Sequence, residues 1–372
     1  MRPSALGGHD DWPDFLRDAL PLSGDELTTS VAGLIGVPEP GDPPVVRIVD
    51  DWRSDGVRGS VLEWSTGFGP PTRAWLVRPV NADRAPGLLG LHCHAGVKSV
   101  GAERLVETPE PSAGAVRLRG DLYEDRAVAN ELARAGFVVL CHDTFAWGSR
   151  RFELDPLPWR LRDVMATYEA AWLTAGHSPA DDEWYDVAAA HHENTIAKAA
   201  GLLGTSFAGM VAYDDLVALS VLRGLDGVDV DRIGVFGFSG GGGRSAMLTA
   251  LDPGIQASAI VCMMTTFDSL IPAYLDAHSW LFTTPGLARH LDHPSLTAGR
   301  ARHHQLVVYA EDDALFPPQG MLAADRELTE HFHYGPATYQ PLFLPGPHRF
   351  DQEMQNAVQA FFTTELAAEQ PG

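Results

Sequence analysis

The sequence predicts an α/β protein in which a mostly parallel sheet is flanked by helices, with an antiparallel edge on its N-terminal side. Three observations carry this. From residue 88 onward, short apolar runs alternate with longer helix-like stretches, the pattern of strands buried on both faces and joined by covering helices. Upstream, three runs at 45–50, 57–65 and 73–77 alternate apolar and polar residues, as strands do when one face meets solvent. Finally, Gly237-Phe238-Ser239-Gly240-Gly241 stands between an apolar run at 232–236 and a helix-like stretch at 244–251, which reads as strand, sharp turn and helix.

Taken in order, residues 1–44 form a loop-rich N-terminal arm. It has helix-like pieces at 12–20 and 25–36 and ends in the cluster Pro38-Glu39-Pro40-Gly41-Asp42-Pro43-Pro44. Such an arm packs on the body or on a neighbouring subunit, so a homo-oligomer built through it is an expectation. Residues 45–372 read as one domain. After the three edge runs come strands at 88–93 and 137–142 around a helix at 125–135, then a helix at 209–222, a strand at 233–236 and a helix at 244–251. Strands at 259–264, 306–310 and 339–344 follow, with helices at 321–329 and 352–366. Two segments exceed what this scaffold needs. Residues 97–120, with the Pro-rich Glu107 to Ser112, read as a long functional or mobile loop. Residues 152–204 carry Trp159, Trp172, Trp184 and Tyr185 on helix-like stretches and read as a helical cap insertion over the turn at 237–241. Its aromatics either pack the added helices onto the body or wall a substrate pocket.

A serine on a turn flanked by small residues is held strained with its Oγ exposed, above a helix N-terminus that favours negative charge. Ser239 is therefore the candidate nucleophile. A serine hydroxyl is weak at its free pKa, so the chain must also supply a base and an acid that orients it. Two loops downstream fit. One follows the run at 305–310 and reads Glu311-Asp312-Asp313-Ala314-Leu315-Phe316-Pro317-Pro318; the other follows the run at 339–344 and reads Pro345-Gly346-Pro347-His348-Arg349-Phe350. Asp313 is the candidate acid, with Asp312 and then Asp268 as rivals, and His348 is the candidate base. The resulting order of serine, acid and histidine is the one expected of an α/β-hydrolase.

Acyl transfer also needs two backbone donors for the oxyanion. Gly240 N–H is the first candidate. The second comes from the end of the run Leu88-Leu89-Gly90-Leu91-His92-Cys93-His94-Ala95-Gly96, with His94 N–H preferred and Ala95 as alternative. His92, Cys93 and His94 resemble a metal cluster by residue type, but strand alternation sends Cys93 to the opposite face, so no metal and no cofactor are expected. His191-His192 and His303-His304 read as solvated pairs. Candidate pocket residues are Trp147, Phe238, Trp184 and Trp280, the last in an aromatic stretch at 274–282.

At this point the chain resembles a known family. Residues Leu91 to Gly96 with Lys98 and Gly101, the stretch from Asn130 to Leu140 followed by Asp143 and Gly148, the serine turn, and Ala310 to Pro318 are similar to the dienelactone hydrolase and acetyl xylan esterase-like branch of the α/β-hydrolases, over about residues 86–366. The resemblance matches the family's serine, acid and histidine to Ser239, Asp313 and His348, and its oxyanion loop to residues 92–96. Cys93 stands where that loop usually has glycine. Some dienelactone hydrolases use a cysteine nucleophile; the serine here implies ester chemistry in general. The same triad also serves thioesters, lactones, peptides and activated carbon–carbon bonds, and a non-catalytic hydrolase-like binding protein is the reading from another class.

Composition agrees with an ordinary enzyme acting on a small-molecule ester. With 372 residues, 45% hydrophobic and 20% charged, the chain can bury a substantial core. No hydrophobic run approaches the roughly 18 residues that span a bilayer, so no membrane partner is expected. Residues 1–20 are charged and broken by proline, unlike a secretory signal. Cys93, Cys141 and Cys262 all lie in apolar strand-like runs and read as buried reduced thiols, which suggests a cytoplasmic location. A net charge of −22 with scattered basic residues argues against nucleic acid.

Overall fold

The alternating runs at the start of the domain form an antiparallel meander of β1 (Arg47–Ser54), β2 (Val57–Trp64) and β3 (Thr72–Pro79). The first of these continues past the expected end at residue 50. The apolar runs that follow become β4 (Ala85–Leu91), β5 (Val138–His142), β6 (Val228–Phe238), β7 (Ala257–Val261), β8 (His304–Ala310) and β9 (Tyr339–Leu344). All belong to one 9-stranded sheet in the order β1-β2-β3-β5-β4-β6-β7-β8-β9. Strand β3 pairs antiparallel with β5, and every later pairing is parallel. The computed structural model describes residues 2–15, 25–80, 84–298, 302–333 and 335–367.

The helices are α1 (Trp12–Phe15), α2 (Asp25–Ile35), α3 (Ala113–Tyr123), α4 (Val128–Arg134), α5 (Trp159–Ala175), α6 (Asp181–Leu202), α7 (Phe207–Gly224), α8 (Gly240–Leu251), α9 (Phe267–Leu270), α10 (His293–Ala298), α11 (Pro318–Phe332) and α12 (Gln352–Glu365). Strand alternation sorts them into two layers. Phe236 and Phe238 of β6 and Leu306 and Val308 of β8 face a core with α4 and α12. Their neighbours Val235, Val307 and Tyr309 turn to the other side, where α7, α8 and α11 pack. Burial on both faces is why these strands read as continuous apolar runs.

Two expectations change. Residues 97–120 are not one long loop: they hold a 3-10 turn (Ala102–Leu105) and α3, whose first turn is capped by Ser112 Oγ accepting from Ala115 N at 3.2 Å. The prolines at 109 and 111 hid that start, because both precede the cap. Neither histidine pair is solvated as a pair. His192 and His303 are buried beside their more exposed neighbours, because consecutive residues of a helix or strand cannot share a face. The described parts of the arm pack on this chain's own body: Val31 and Ile35 of α2 are buried against α7 and α8, and Ala5 N donates to Pro272 O at 2.7 Å. Residues 16–20 of the helix expected at 12–20 lie outside the described residues.

The insertion forms α5 and α6, and α6 runs on into α7 at an angle of 85°. No single helix among the described residues is long and apolar enough to cross a membrane. All three cysteines are free and buried.

Candidate active site

Strand β6 ends at Phe238 and α8 begins at Gly240, so one residue makes the whole turn. Ser239 takes φ 56° and ψ −126°, a region that costs a non-glycine residue about 1–3 kcal/mol. The surroundings hold it there: Ser239 N donates to Val261 O at 2.8 Å, and its carbonyl accepts from Gly243 N at 3.1 Å. Helix α8 approaches the end of β4 so closely that a Cβ on Gly241 would fall onto the Leu91 carbonyl. Inside the helix, Arg244 is buried with Asp215 at 2.6 Å and also donates to His92 O at 3.2 Å, which ties α8 to the loop after β4.

The other two side chains arrive from the loops after β8 and β9. His348 Nε2 lies 2.8 Å from Ser239 Oγ, and its Nδ1 lies 2.5 Å from Asp313 Oδ2. Because the carboxylate accepts at Nδ1, the neutral ring carries its proton there and turns a lone pair toward the hydroxyl. Asp313 is buried, and its second oxygen accepts from Leu315 N at 2.9 Å. The rival Asp312 is exposed and takes Gly346 N at 3.1 Å, which pins the two loops together. Asp268 belongs to α9 and is not the acid bonded to His348.

The segments expected to supply the oxyanion donors lie side by side. Gly240 N is the first amide of α8, one of those that no helical carbonyl can take. The His94 backbone nitrogen lies 3.1 Å from where a Cβ on Gly240 would stand. Ala95, the alternative donor, occupies a turn at φ 56°. Cys93 points away from the site, its Sγ accepting from Tyr123 Oη at 3.1 Å and from Arg104 at 3.3 Å. The loop is further held by Asp143, whose buried carboxylate accepts from Ala102 N and Ser149 N at 2.8 and 2.7 Å.

Set against known proteins, the chain matches no family model. It is 26% identical over 258 residues to YtaP of Bacillus subtilis (strain 168), a protein provisionally named a hydrolase, covering 69% of this chain and 70% of that one. Among solved structures, a protein of Bacteroides fragilis NCTC 9343 provisionally named an acetyl xylan esterase superposes with a TM-score of 0.63 at 16% identity, over 91% of this chain and 82% of the other. Acetyl xylan esterase 1 from Thermoanaerobacterium sp. JW/SL YS485 gives 0.55 at 16% identity, over 95% and 98%. The chain has the α/β-hydrolase fold.

In this α/β-hydrolase fold, Ser239, Gly240, His94 and His348 line a cavity of about 440 Å³. His278, Ser279, Trp280, Phe282, Leu315 and Phe316 form much of its remaining wall. Of the four expected pocket residues, only Trp280 is there. Trp147 and Phe238 are buried behind the surface: Trp147 packs its ring against His94 at 5.2 Å, and Phe238 supports His348. Trp184 lines a separate, larger groove of about 1010 Å³ with Tyr185, Phe152 and Phe68. It sits near the N-terminal end of α6, roughly two turns from Ala190, Glu193 and Asn194, which reach the serine cavity.

Two groups at this cavity escaped the sequence reading. His278 packs at a tilt against Phe316, with ring centres 5.0 Å apart, and Nε2 donates to Leu315 O at 3.1 Å; burial lowers its pKa. Glu193 of α6 is buried, and although burial pushes its carboxyl up, hydrogen bonding from His94 and the charge of Lys98 hold it well below the usual range. The available signal was spacing: Asp186 and Glu193 stand seven residues apart, on one helix face, and both are buried.

One group of metal-ligand type occurs among the described residues, Cys262 with Asp313 and His348. Its atoms are committed elsewhere. Asp313 and His348 hold each other at 2.5 Å, and burial together with the Asp313 charge pushes the Cys262 thiol well up, so it keeps its proton. A thiol in that state is a poor cation ligand.

Proposed function

We propose that this chain is a serine hydrolase that cleaves a carboxylic ester of a small or medium-sized substrate. The observation that carries the reading is the single imidazole of His348 bridging Ser239 Oγ at 2.8 Å and the Asp313 carboxylate at 2.5 Å, at the wall of a cavity that reaches the surface. The esterase names of the structural neighbours point the same way.

In the proposed reaction His348 Nε2 takes the Ser239 proton as Oγ attacks the ester carbonyl. Asp313 steadies the resulting imidazolium, and the amides of Gly240 and His94 receive the oxyanion. The protonated imidazole then gives its proton to the departing alcohol. Water repeats the sequence on the acyl-enzyme, returning Ser239 and releasing the acid. No cofactor takes part in any step.

The test is a panel of nitrophenyl esters, thioesters, lactones and peptides offered to the purified chain and to Ser239→Ala. Ester turnover by the wild type, lost in the variant, supports the proposal. Ester turnover that survives in Ser239→Ala overturns the assignment, and failure of a fluorophosphonate to label Ser239 in the folded protein would favour a binding role.

A further inference from the structure

Glu193 reaches the active-site cavity from the cap helix α6, yet none of its acceptor capacity faces the cavity. Oε1 accepts from Ser279 Oγ at 2.6 Å and from Trp280 N at 2.8 Å. Oε2 accepts from His94 Nε2 at 3.3 Å and from the Lys98 ammonium. Two donors at each oxygen use the about four acceptor sites that a carboxylate has. The group is therefore not free to act as a base or to bind substrate.

What it joins is more informative. Its donors come from the loop after β4, 95 to 99 residues away in sequence, and from the cavity wall, 86 to 87 residues away. Lys98 is as buried as Glu193 and lies over the rings of Trp147 and Phe207, at 4.8 and 4.9 Å, so the pair forms a fixed charge contact inside the protein. The imidazole of His94 is gripped on both sides. Nδ1 accepts from Gly96 N at 2.9 Å, which leaves the proton of the neutral ring on Nε2, directed at Glu193. Holding that ring holds the Cα and the amide behind it, beside Gly240.

We propose that Glu193 is a positioning residue, which acts through His94 to keep the main-chain amide of that loop aimed at the oxyanion. The inference rests on the serine-hydrolase reading above. An amide that drifts by a fraction of an ångström still lets substrate bind but stabilises the transition state less, so the loss falls on kcat and spares KM.

The test compares the wild type with His94→Asn and Glu193→Gln, by ester kinetics and by amide hydrogen exchange of residues 93–97. Glu193→Gln leaves Lys98 buried without its counter-charge and threatens the fold. His94→Asn avoids this. Its side-chain oxygen can still take the amide two residues on, while the shorter arm no longer reaches Glu193 and the pair with Lys98 stays intact. The expected result for His94→Asn is a kcat lower by about 10- to 100-fold, less than or equal to the loss of a whole oxyanion donor, with KM within about 3-fold and faster exchange in 93–97. An unchanged kcat, or a loss carried by KM alone, overturns the proposal. Should the wild type cleave no ester, the proposed activity fails by itself, and exchange still decides the clamp: protection unchanged in both variants overturns it.

Discussion

Phe238 lies beneath the imidazole of His348, with ring centres 4.8 Å apart. The residue before the proposed nucleophile thus supports the proposed base, and Phe350 stacks on Phe238 at 6.1 Å. Shortening this ring should loosen the imidazole before it unfolds the protein. Phe238→Leu is expected to lower kcat on the order of 10-fold through misplacement of the base, whereas Phe238→Ala should also cost about 3–5 kcal/mol in urea denaturation. Wild-type kcat in the leucine variant would show that the contact does not position the ring.

Asp313 and Asp312 are adjacent in sequence but separable by experiment. Asp313→Asn should cut kcat by about 10³- to 10⁴-fold, because an amide no longer fixes the tautomer of His348. Asp312→Asn keeps an oxygen for Gly346 N and should stay within about 3-fold of the wild type. Reversed effects in the two steady-state assays would reassign the acid.

The strain at Ser239 predicts a stability difference between two inactive variants. Alanine keeps a Cβ in the φ 56° conformation, while glycine has none to strain. After subtracting glycine's greater freedom in the unfolded chain, Ser239→Gly should be about 1 kcal/mol more stable than Ser239→Ala. Chemical denaturation of both proteins reads this directly.

Two glycines of α8 should respond oppositely to alanine. At Gly241 the new Cβ meets the Leu91 backbone, which cannot move without distorting the loop after β4, and the variant should lose about 2 kcal/mol or more together with its activity. At Gly243 the nearest atom is the flexible end of Met263 at 3.3 Å, and alanine's helix preference of about 1 kcal/mol offsets the small shift required. Equal stability for the two variants would contradict this packing.

His293 predicts an acid-sensitive fold. Its ring is buried edge-on to Phe282 at 4.7 Å, and burial, with His278 nearby and Glu327 opposing, pulls its pKa down to about 4. In the unfolded chain an imidazole takes its proton near the ordinary value of about 6.5, so between these two values the unfolded state binds more protons and stability falls as the pH falls. At pH 5 this group alone should cost about 2 kcal/mol relative to neutral pH. Denaturation at pH 7 and pH 5 should therefore show a smaller pH difference for His293→Leu than for the wild type.

Much of the α/β-hydrolase fold was legible in the chain because its signals are local. A parallel strand buried on both faces must be apolar throughout, and the turn at Ser239 admits only small neighbours, so both leave marks within about ten residues. The helix α3 escaped because its cap at Ser112 follows two prolines that mimic a loop. The pocket was mostly illegible. Trp147, Trp184 and Trp280 are alike as residue types, and only one lies on the serine cavity, since which side of a packed aromatic meets open space depends on elements far away in sequence.

By itself the sequence determined most of the order of strands and helices, the strand, turn and helix around Ser239 and the two loops that carry Asp313 and His348, because periodicity and turn chemistry are properties of neighbouring residues. Only the tertiary structure put Asp313 and not Asp312 against His348, brought Glu193 from α6 to the His94 loop, and separated the serine cavity from the larger groove beside Trp184. Those outcomes depend on distances of a few ångströms between groups dozens of residues apart, which chain topology and packing set together.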